Sequence, residues 1–103
     1  MIEKRTLNLI KENKDLLSNN GIKIDEVKSE NLNYLERAIR IDLISEDSFC
    51  RITAFHSGRL YIQILDISTE KTIFIYDDIP EPRGRERFII DSIKKMIKWI
   101  RGR

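Results

Sequence analysis

The chain has 103 residues, of which 35% are charged and 41% are hydrophobic, and its formal net charge is +2. This length predicts one domain over residues 1–103, with a core that needs no disulfide or metal. One cysteine excludes an internal disulfide, and no apolar run approaches the length of a membrane span. Because no secretory signal is visible either, we expect a cytoplasmic protein.

The N-terminal part predicts a helix followed by two strands. Apolar residues recur at steps of three and four over residues 3–19, which predicts a helix, and Gly21 is placed to end it. Residues 22–27 and 37–44 then alternate between apolar and polar side chains, as strands with one buried face do. The charged residues of the first of these strands are typical of a sheet edge.

Three more strands are predicted between residues 49 and 78. Runs rich in Ile, Phe, Tyr and Thr flank residues 57–58, which predicts a two-residue hairpin turn, and a second turn is expected at 69–70. Two prolines and a glycine then mark a loop, and helical spacing of apolar residues from 85 onward predicts a C-terminal helix. The expected fold is α+β: an N-terminal helix, an antiparallel β-meander of about five strands and a C-terminal helix. In the predicted registers, the diagnostic pairs are Phe55 with Leu60 and Leu65 with Phe74.

These registers place the strand residues on two faces of the sheet. One face is nearly all apolar and is the predicted core, with Ile39, Ile41, Leu43, Cys50, Ile52, Ala54, Tyr61, Gln63, Leu65 and Phe74. The second face mixes charged and apolar side chains, which is typical of a partner-binding surface. Its candidate contact residues are Arg40, Asp42, Arg51, Phe55, Ile62, Ile64, Ile75 and Asp77. Alternatively, the two helices cover this second face, or take one side of the sheet each, and these apolar residues belong to the core. A slip of one residue in register would exchange the two assignments.

Catalytic and metal-binding patterns do not emerge from the sequence. His56 is the only histidine, so a cluster of histidine ligands is excluded, and its place beside the hairpin turn favours a surface role. Cys50 falls on the predicted core face, where a small buried thiol is usual. The acidic pairs at 46–47 and 77–78 are more typical of solvated turns than of a cation site. We therefore expect no enzyme, no cofactor and no metal.

The predicted hairpins resemble those of a known family. Residues 51–58, 61–67 and 72–74 are similar to the central hairpin of the TriTu family of immunity proteins, which belong to bacterial polymorphic toxin systems. The preceding charged helix and the strands at 20–24 and 39–43 extend the likeness over most of residues 3–77. The resemblance is most specific at Arg51, Thr53, Ser57, Gly58 and Asp66.

The resemblance implies a cytoplasmic antitoxin that binds a cognate toxin domain and blocks its active site or substrate path. Such a role requires a rigid complementary surface rather than catalytic groups, and charge complementarity would select the partner. We accordingly assign the candidate contact residues of the second face to toxin binding. The sequence leaves open whether the protein forms a homodimer.

Two other functions remain alternatives. A secretion-chaperone-like protein would also be small and non-catalytic, and it would bind an unfolded effector segment as an obligate dimer. A nucleic-acid-binding module would use residues 83–103, which hold eight basic and two acidic residues. Its binding would fall steeply with added salt, whereas a solvated face of an ordinary helix would show no such binding.

Overall fold

The computed structural model describes residues 2–32 and 36–102, and it confirms the α+β class. The strands form one antiparallel five-stranded sheet whose spatial order is the chain order, so the predicted meander is also confirmed. The elements are α1 (Ile2–Glu12), α2 (Lys14–Asn19), β1 (Lys23–Leu32), β2 (Glu36–Ile44), β3 (Ser48–Phe55), β4 (Leu60–Asp66), β5 (Thr72–Asp78), a 3₁₀ turn (Pro82–Gly84) and α3 (Arg85–Arg101).

The predicted first helix is interrupted at Asn13. The side-chain amide of Asn13 donates a hydrogen bond to the carbonyl oxygen of Leu9 at 2.8 Å, while its backbone N–H bonds to Ile10 in the tighter three-residue pattern. Asparagine side chains compete in this way with the helical backbone, so the chain forms α1 and α2 instead of one helix. Gly21 ends α2 with a positive φ of 73°, as the sequence predicts.

All three helices pack on the same face of the sheet and form a second layer. Apolar side chains of the helices and strands meet in one core between the layers. Arg85 at the start of α3 ties the layers together, because its guanidinium donates to the carbonyl oxygen of Gly58 and to the hydroxyl of Thr6. The fully buried large side chains are Ile10, Leu17, Ile22, Ile41, Leu43, Ile52, Leu60, Ile62, Ile64, Ile89, Ile93 and Met96.

The register predicted for the β3–β4 hairpin is wrong by one residue. The loop contains three residues, 56–58, closed by hydrogen bonds from the Phe55 N–H to the Arg59 carbonyl and from the Gly58 N–H to the Phe55 carbonyl. Gly58 has a φ of 99°, as expected at the bulge position of a three-residue hairpin loop. Leu60 therefore lies opposite Ala54 rather than opposite Phe55.

The predicted β4–β5 register is wrong for a similar reason. The loop spans residues 67–70 and is organised by the Asp66 carboxylate, which accepts hydrogen bonds from Ser68 and Thr69. An irregularity then places Ile64 opposite Phe74 and Leu65 opposite Thr72. In the observed registers, the side of β4 that was predicted to point away from the core faces the helices instead.

That correction moves two predicted contact residues into the core. Ile62 and Ile64 face the helices and are 0% exposed, so the prediction that they share a face with Arg51 is wrong. The residues that β4 turns away from the core are Tyr61, Gln63 and Leu65. Because successive side chains of a strand point to opposite faces of the sheet, a shift of one residue moves every side chain of the strand to the opposite face.

Glu3 fastens the first turn of α1 to the β3–β4 hairpin. Its side chain is buried, and its carboxylate lies 3.4 Å from Nδ1 of His56. Burial alone would raise the pKa of Glu3, but hydrogen bonds from its own backbone and from His56, together with the charges of His56 and Arg37, lower it below the ordinary value of 4.5. His56 itself is an exposed turn residue, as the sequence predicts.

We predict that Gly58→Ala destabilises the fold by about 1–2 kcal/mol, because a residue with a Cβ is strained at this positive φ. No steric clash contributes, since the nearest atom to an added Cβ would be Cγ2 of Ile79 at 3.9 Å. The matched control is Gly84→Ala, where φ is −100° and nothing lies within 4 Å of an added Cβ. Urea unfolding of both variants checks this. Equal losses would contradict the backbone explanation.

We predict that Glu3→Gln lowers the unfolding free energy at neutral pH by about 1 kcal/mol. Because the folded-state pKa of Glu3 is lowered, the stabilisation is fully present above the ordinary value of 4.5 and is lost as pH falls through the folded-state pKa. The difference between wild type and variant should therefore shrink in acid. Chemical unfolding across a pH series measures it, with the exposed Glu12→Gln as control. A difference independent of pH would contradict the assignment.

Candidate partner-binding face

The sheet face opposite the helices is bare of helices throughout the part of the chain that the structure describes. We call it the open face. Its side chains alternate with those that face the helices along the four strands β2 to β5. The open face is defined by Arg40, Asp42, Phe49, Arg51, Thr53, Phe55, Tyr61, Gln63, Leu65, Ile75 and Asp77.

Two cross-strand rows organise the centre of the open face. The first row runs Arg40, Thr53, Tyr61, Asp77, and the second runs Asp42, Arg51, Gln63, Ile75. Neighbours within a row lie close enough for their side chains to interact. The second row thus runs from charged residues on β2 and β3 to an apolar side chain on β5, Ile75, which is 58% exposed.

A buried aspartate holds the central arginine in place. The Asp42 carboxylate accepts hydrogen bonds from Nε of Arg51 at 2.9 Å and from its NH2 at 3.2 Å. The Asp42 side chain is only 4% exposed, whereas that of Arg51 is 39% exposed. The Arg51 guanidinium also lies 5.3 Å from the ring centre of Phe49, a cation–π distance. Arg51 is therefore oriented by its neighbours while remaining accessible.

Arg40 extends this network to the sheet edge. Its guanidinium lies 3.6 Å from Asp42 and 3.4 Å from Glu26 on β1. Among the described side chains, these contacts join two arginines and two carboxylates. The bidentate pairing of Arg51 with Asp42 restricts the orientation of the Arg51 guanidinium more than a single hydrogen bond would.

A second arginine anchor borders the open face near the β3–β4 turn. Arg59 makes two hydrogen bonds to the Asp77 carboxylate, at 2.8 and 2.9 Å, and lies 5.2 Å from the ring centre of Phe55. Both partners of this ion pair are nearly half exposed. Phe55 itself is buried beneath the guanidinium, with 8% of its surface exposed.

The structure brings most of the predicted contact residues together on the open face. The residues placed there are Arg40, Asp42, Arg51, Phe55, Ile75 and Asp77. Three further residues of the open face, Tyr61, Gln63 and Leu65, were not predicted to lie there because the predicted hairpin registers were wrong by one residue. The alternation in β4 did indicate that these three residues share one side of a strand. Within this set, Asp42 and Phe55 are buried supports, whereas Arg51 and Ile75 are accessible.

The chemistry available elsewhere is limited. Burial, together with the nearby Asp42 charge, raises the pKa of the Cys50 thiol to about 12, so the thiol stays protonated at neutral pH. Across residues 2–32 and 36–102, no group of three His, Cys, Asp or Glu side chains could hold a metal ion. Among the described helices, none is both long and apolar enough to cross a membrane.

Comparison with known proteins gives one match. The model of the family described as immunity protein TriTu matches residues 5–79, which include the whole sheet and the first two helices except the start of α1. No curated protein and no solved structure matches the chain.

We predict that Asp42→Ala and Asp77→Ala differ in their effect on stability, although both remove a carboxylate that pairs twice with an arginine. Loss of buried Asp42 removes two charged hydrogen bonds to Arg51 and should cost about 2 kcal/mol. Loss of exposed Asp77 should cost about 0.5 kcal/mol, because solvent screens the pair with Arg59. Urea unfolding compares them. Equal costs would show that Asp42 is not a structural support of Arg51.

Proposed function

Because this chain belongs to the TriTu family of immunity proteins, we propose that it neutralises a cognate toxin domain by binding that domain through the open face of its sheet. The observation that supports this choice of surface is the placement of the helices. All of the described helices lie on one side of the sheet, which leaves the other side accessible. Membership of an immunity protein family indicates the kind of partner, which is a protein toxin.

The composition of the open face suits a protein partner. Aromatic residues and arginine are enriched at protein interfaces, and the open face presents Phe49, Tyr61 and Arg51 on adjoining strands. Each of these side chains is partly exposed in the free protein. The hydroxyl of Tyr61 donates to Oε1 of Gln63 at 3.2 Å, so its ring position is also fixed.

Pre-organisation supports tight binding at this surface. Ordering flexible side chains on association costs about 0.5–1.5 kcal/mol for each one immobilised. Arg51 avoids part of that cost because Asp42 and Phe49 already hold its guanidinium. Directly beneath it, Ile52 and Ile62 form a cross-strand pair that is completely buried, which stiffens the backbone of the face.

Neutralisation by this face requires no chemistry from the antitoxin. A rigid surface that covers the toxin's active site or its substrate path would prevent activity by exclusion. The accessible Arg51 would select a toxin surface that offers a carboxylate or carbonyl oxygen, and mismatched charges would reject other toxins. A non-enzymatic role of this kind agrees with membership of an immunity protein family.

The basic surface of α3 belongs to the helical layer, on the other side of the sheet from the open face. Lys94, Lys95 and Lys98 are exposed there, and this region is the surface that a nucleic-acid-binding module would use. Family membership favours the protein toxin instead, and it likewise favours a folded toxin domain over the unfolded segment that a secretion chaperone would bind.

The toxin can be identified by purifying the tagged protein from its own host at moderate salt and identifying bound proteins by mass spectrometry. A toxin domain recovered at a stoichiometric ratio should inhibit growth when expressed alone, and co-expression of the chain should restore growth. Recovery of nucleic acid, or of an unfolded secreted effector, would contradict the proposal.

With that toxin domain in hand, we predict that Gln63→Lys weakens its binding by at least about tenfold, which corresponds to about 1.4 kcal/mol. Gln63 lies between Arg51 and Ile75 in the second row, so an added charge there would be buried by a docked partner. Isothermal titration calorimetry measures the affinity.

The matched control is Asn8→Lys, which adds the same charge at an exposed position of α1. It should leave toxin affinity unchanged. If Asn8→Lys weakens binding while Gln63→Lys does not, the toxin binds the helical layer and the proposed use of the open face is wrong.

A further inference from the structure

The two edges of the sheet differ in how they are protected. Edge strands expose unpaired backbone groups, and proteins usually guard them with charges, bulges or covering elements. The β1 edge has Lys23 and Lys28 among acidic residues, and its pairing with β2 contains an irregularity. The β5 strand has the sequence TIFIYDD, with no lysine or proline. Its acidic residues stand at its end, and its one pairing irregularity lies beyond Phe74, so the stretch 74–76 has neither kind of protection.

The β5 strand has a neighbour, β4, on one side only within the described sheet. Ile75 at its centre is 58% exposed, and Ile73, Phe74 and Tyr76 are half-buried. The apolar residues of this edge are thus accessible together with backbone groups that can pair with another strand. Such an edge favours strand addition by a partner.

We propose that the occupant of this edge is a second copy of the chain, which pairs its own β5 antiparallel to the first about a two-fold axis at Ile75. This dimer does not depend on toxin binding. A two-fold axis makes an interface self-complementary, so the register follows from the sequence of one strand. With Ile75 opposite its copy, Phe74 of one copy lies opposite Tyr76 of the other on each side of the axis. The irregularity at Ile73 ends the regular part of β5, so we assign no pairs beyond these.

This register gives favourable side-chain neighbours on both faces of the sheet. On the open face, the two Ile75 side chains meet and bury apolar surface that is exposed in the single chain. On the helical face, Phe74 of one copy faces Tyr76 of the other, and the two-fold axis repeats the pair. Aromatic pairs across strands contribute roughly 0.2–1 kcal/mol each.

The charges beside β5 are complementary in the same register. Lys95 on α3 places Nζ 4.8 Å from the ring centre of Phe74. Asp78 of the second copy lies diagonally across from Phe74 on the helical face, about 7–8 Å away between strands and within reach of a long side chain. The two-fold axis therefore creates two Asp78–Lys95 pairs, one at each end of the interface.

The axis also keeps most of the proposed toxin surface accessible, since only its β5 residues lie at the dimer interface. It runs perpendicular to the sheet, so both helical layers lie on one side of a continuous ten-stranded sheet and both open faces lie on the other. A single strand pair buries little area compared with an obligate dimer, so we expect association that depends on protein concentration.

Analytical ultracentrifugation of the purified chain, from about 10 μM to about 1 mM, tests the dimer directly. We expect a reversible monomer–dimer equilibrium that Ile75→Lys weakens by at least about tenfold, because it places two like charges opposite each other at the axis. The matched control is Val27→Lys on β1, where the native side chain is 42% exposed. A chain that stays monomeric throughout, or a dimer that Val27→Lys disrupts and Ile75→Lys does not, would overturn the proposal.

A charge exchange tests the register itself. Asp78→Lys and Lys95→Asp should each weaken association, because each variant places like charges together in both pairs. The double variant should restore association towards that of the wild type, since it reverses both charges. If the double variant associates no better than the single variants while circular dichroism shows that all are folded, the register about Ile75 is wrong.

Discussion

The three-residue turn that ends at Gly58 fixes the register on which the rest of the structure depends. The positive φ of Gly58 closes the β3–β4 hairpin so that Leu60 pairs with Ala54. This pairing sends Leu60, Ile62 and Ile64 to the helices and leaves Tyr61, Gln63 and Leu65 on the other face. A shift of one residue would exchange the two sets and expose the core. The Arg85 guanidinium reinforces the turn, because it donates to the Gly58 carbonyl from the start of α3.

Separation of the two faces gives each a distinct role. The helical layer takes the apolar burial that stabilises the fold, so the open face is free to hold polar groups in fixed positions. Asp42 illustrates this division: it is nearly inaccessible, yet it orients the accessible Arg51. The proposed inhibition by exclusion would need such a surface, because it would depend on shape and charge rather than on reactive groups. The β5 edge lies at the border of this face, so the proposed self-association there would leave the centre of the face uncovered.

Element types were predictable from the sequence because the apolar periods were clear: alternation in β2 and helical spacing in α3. The side of the sheet on which each β4 residue lies was not predictable from the sequence, because it depends on loop geometry rather than on composition. The Ser57-Gly58 dipeptide fits both a two-residue turn and the end of a three-residue loop. The two loops differ in the residue that lies opposite Phe55, which is Leu60 in the first case and Arg59 in the second. The Asn13 break similarly depends on one side-chain hydrogen bond. Arg40, Asp42 and Arg51 were placed on one face correctly because that face is set by the pairing of β2 with β3, which does not depend on the misassigned turn.

Methyl NMR of the isotope-labelled chain, titrated with its identified toxin domain, tests the use of the open face most directly. Leu65 and Ile75 report on the open face, whereas Leu16, which is 38% exposed on α2, reports on the helical layer. We expect the Leu65 and Ile75 methyl signals to shift or broaden in the complex while the Leu16 signals stay unchanged. The reverse pattern, with Leu16 affected and both open-face residues unchanged, would show that the toxin binds the helices and would contradict the account.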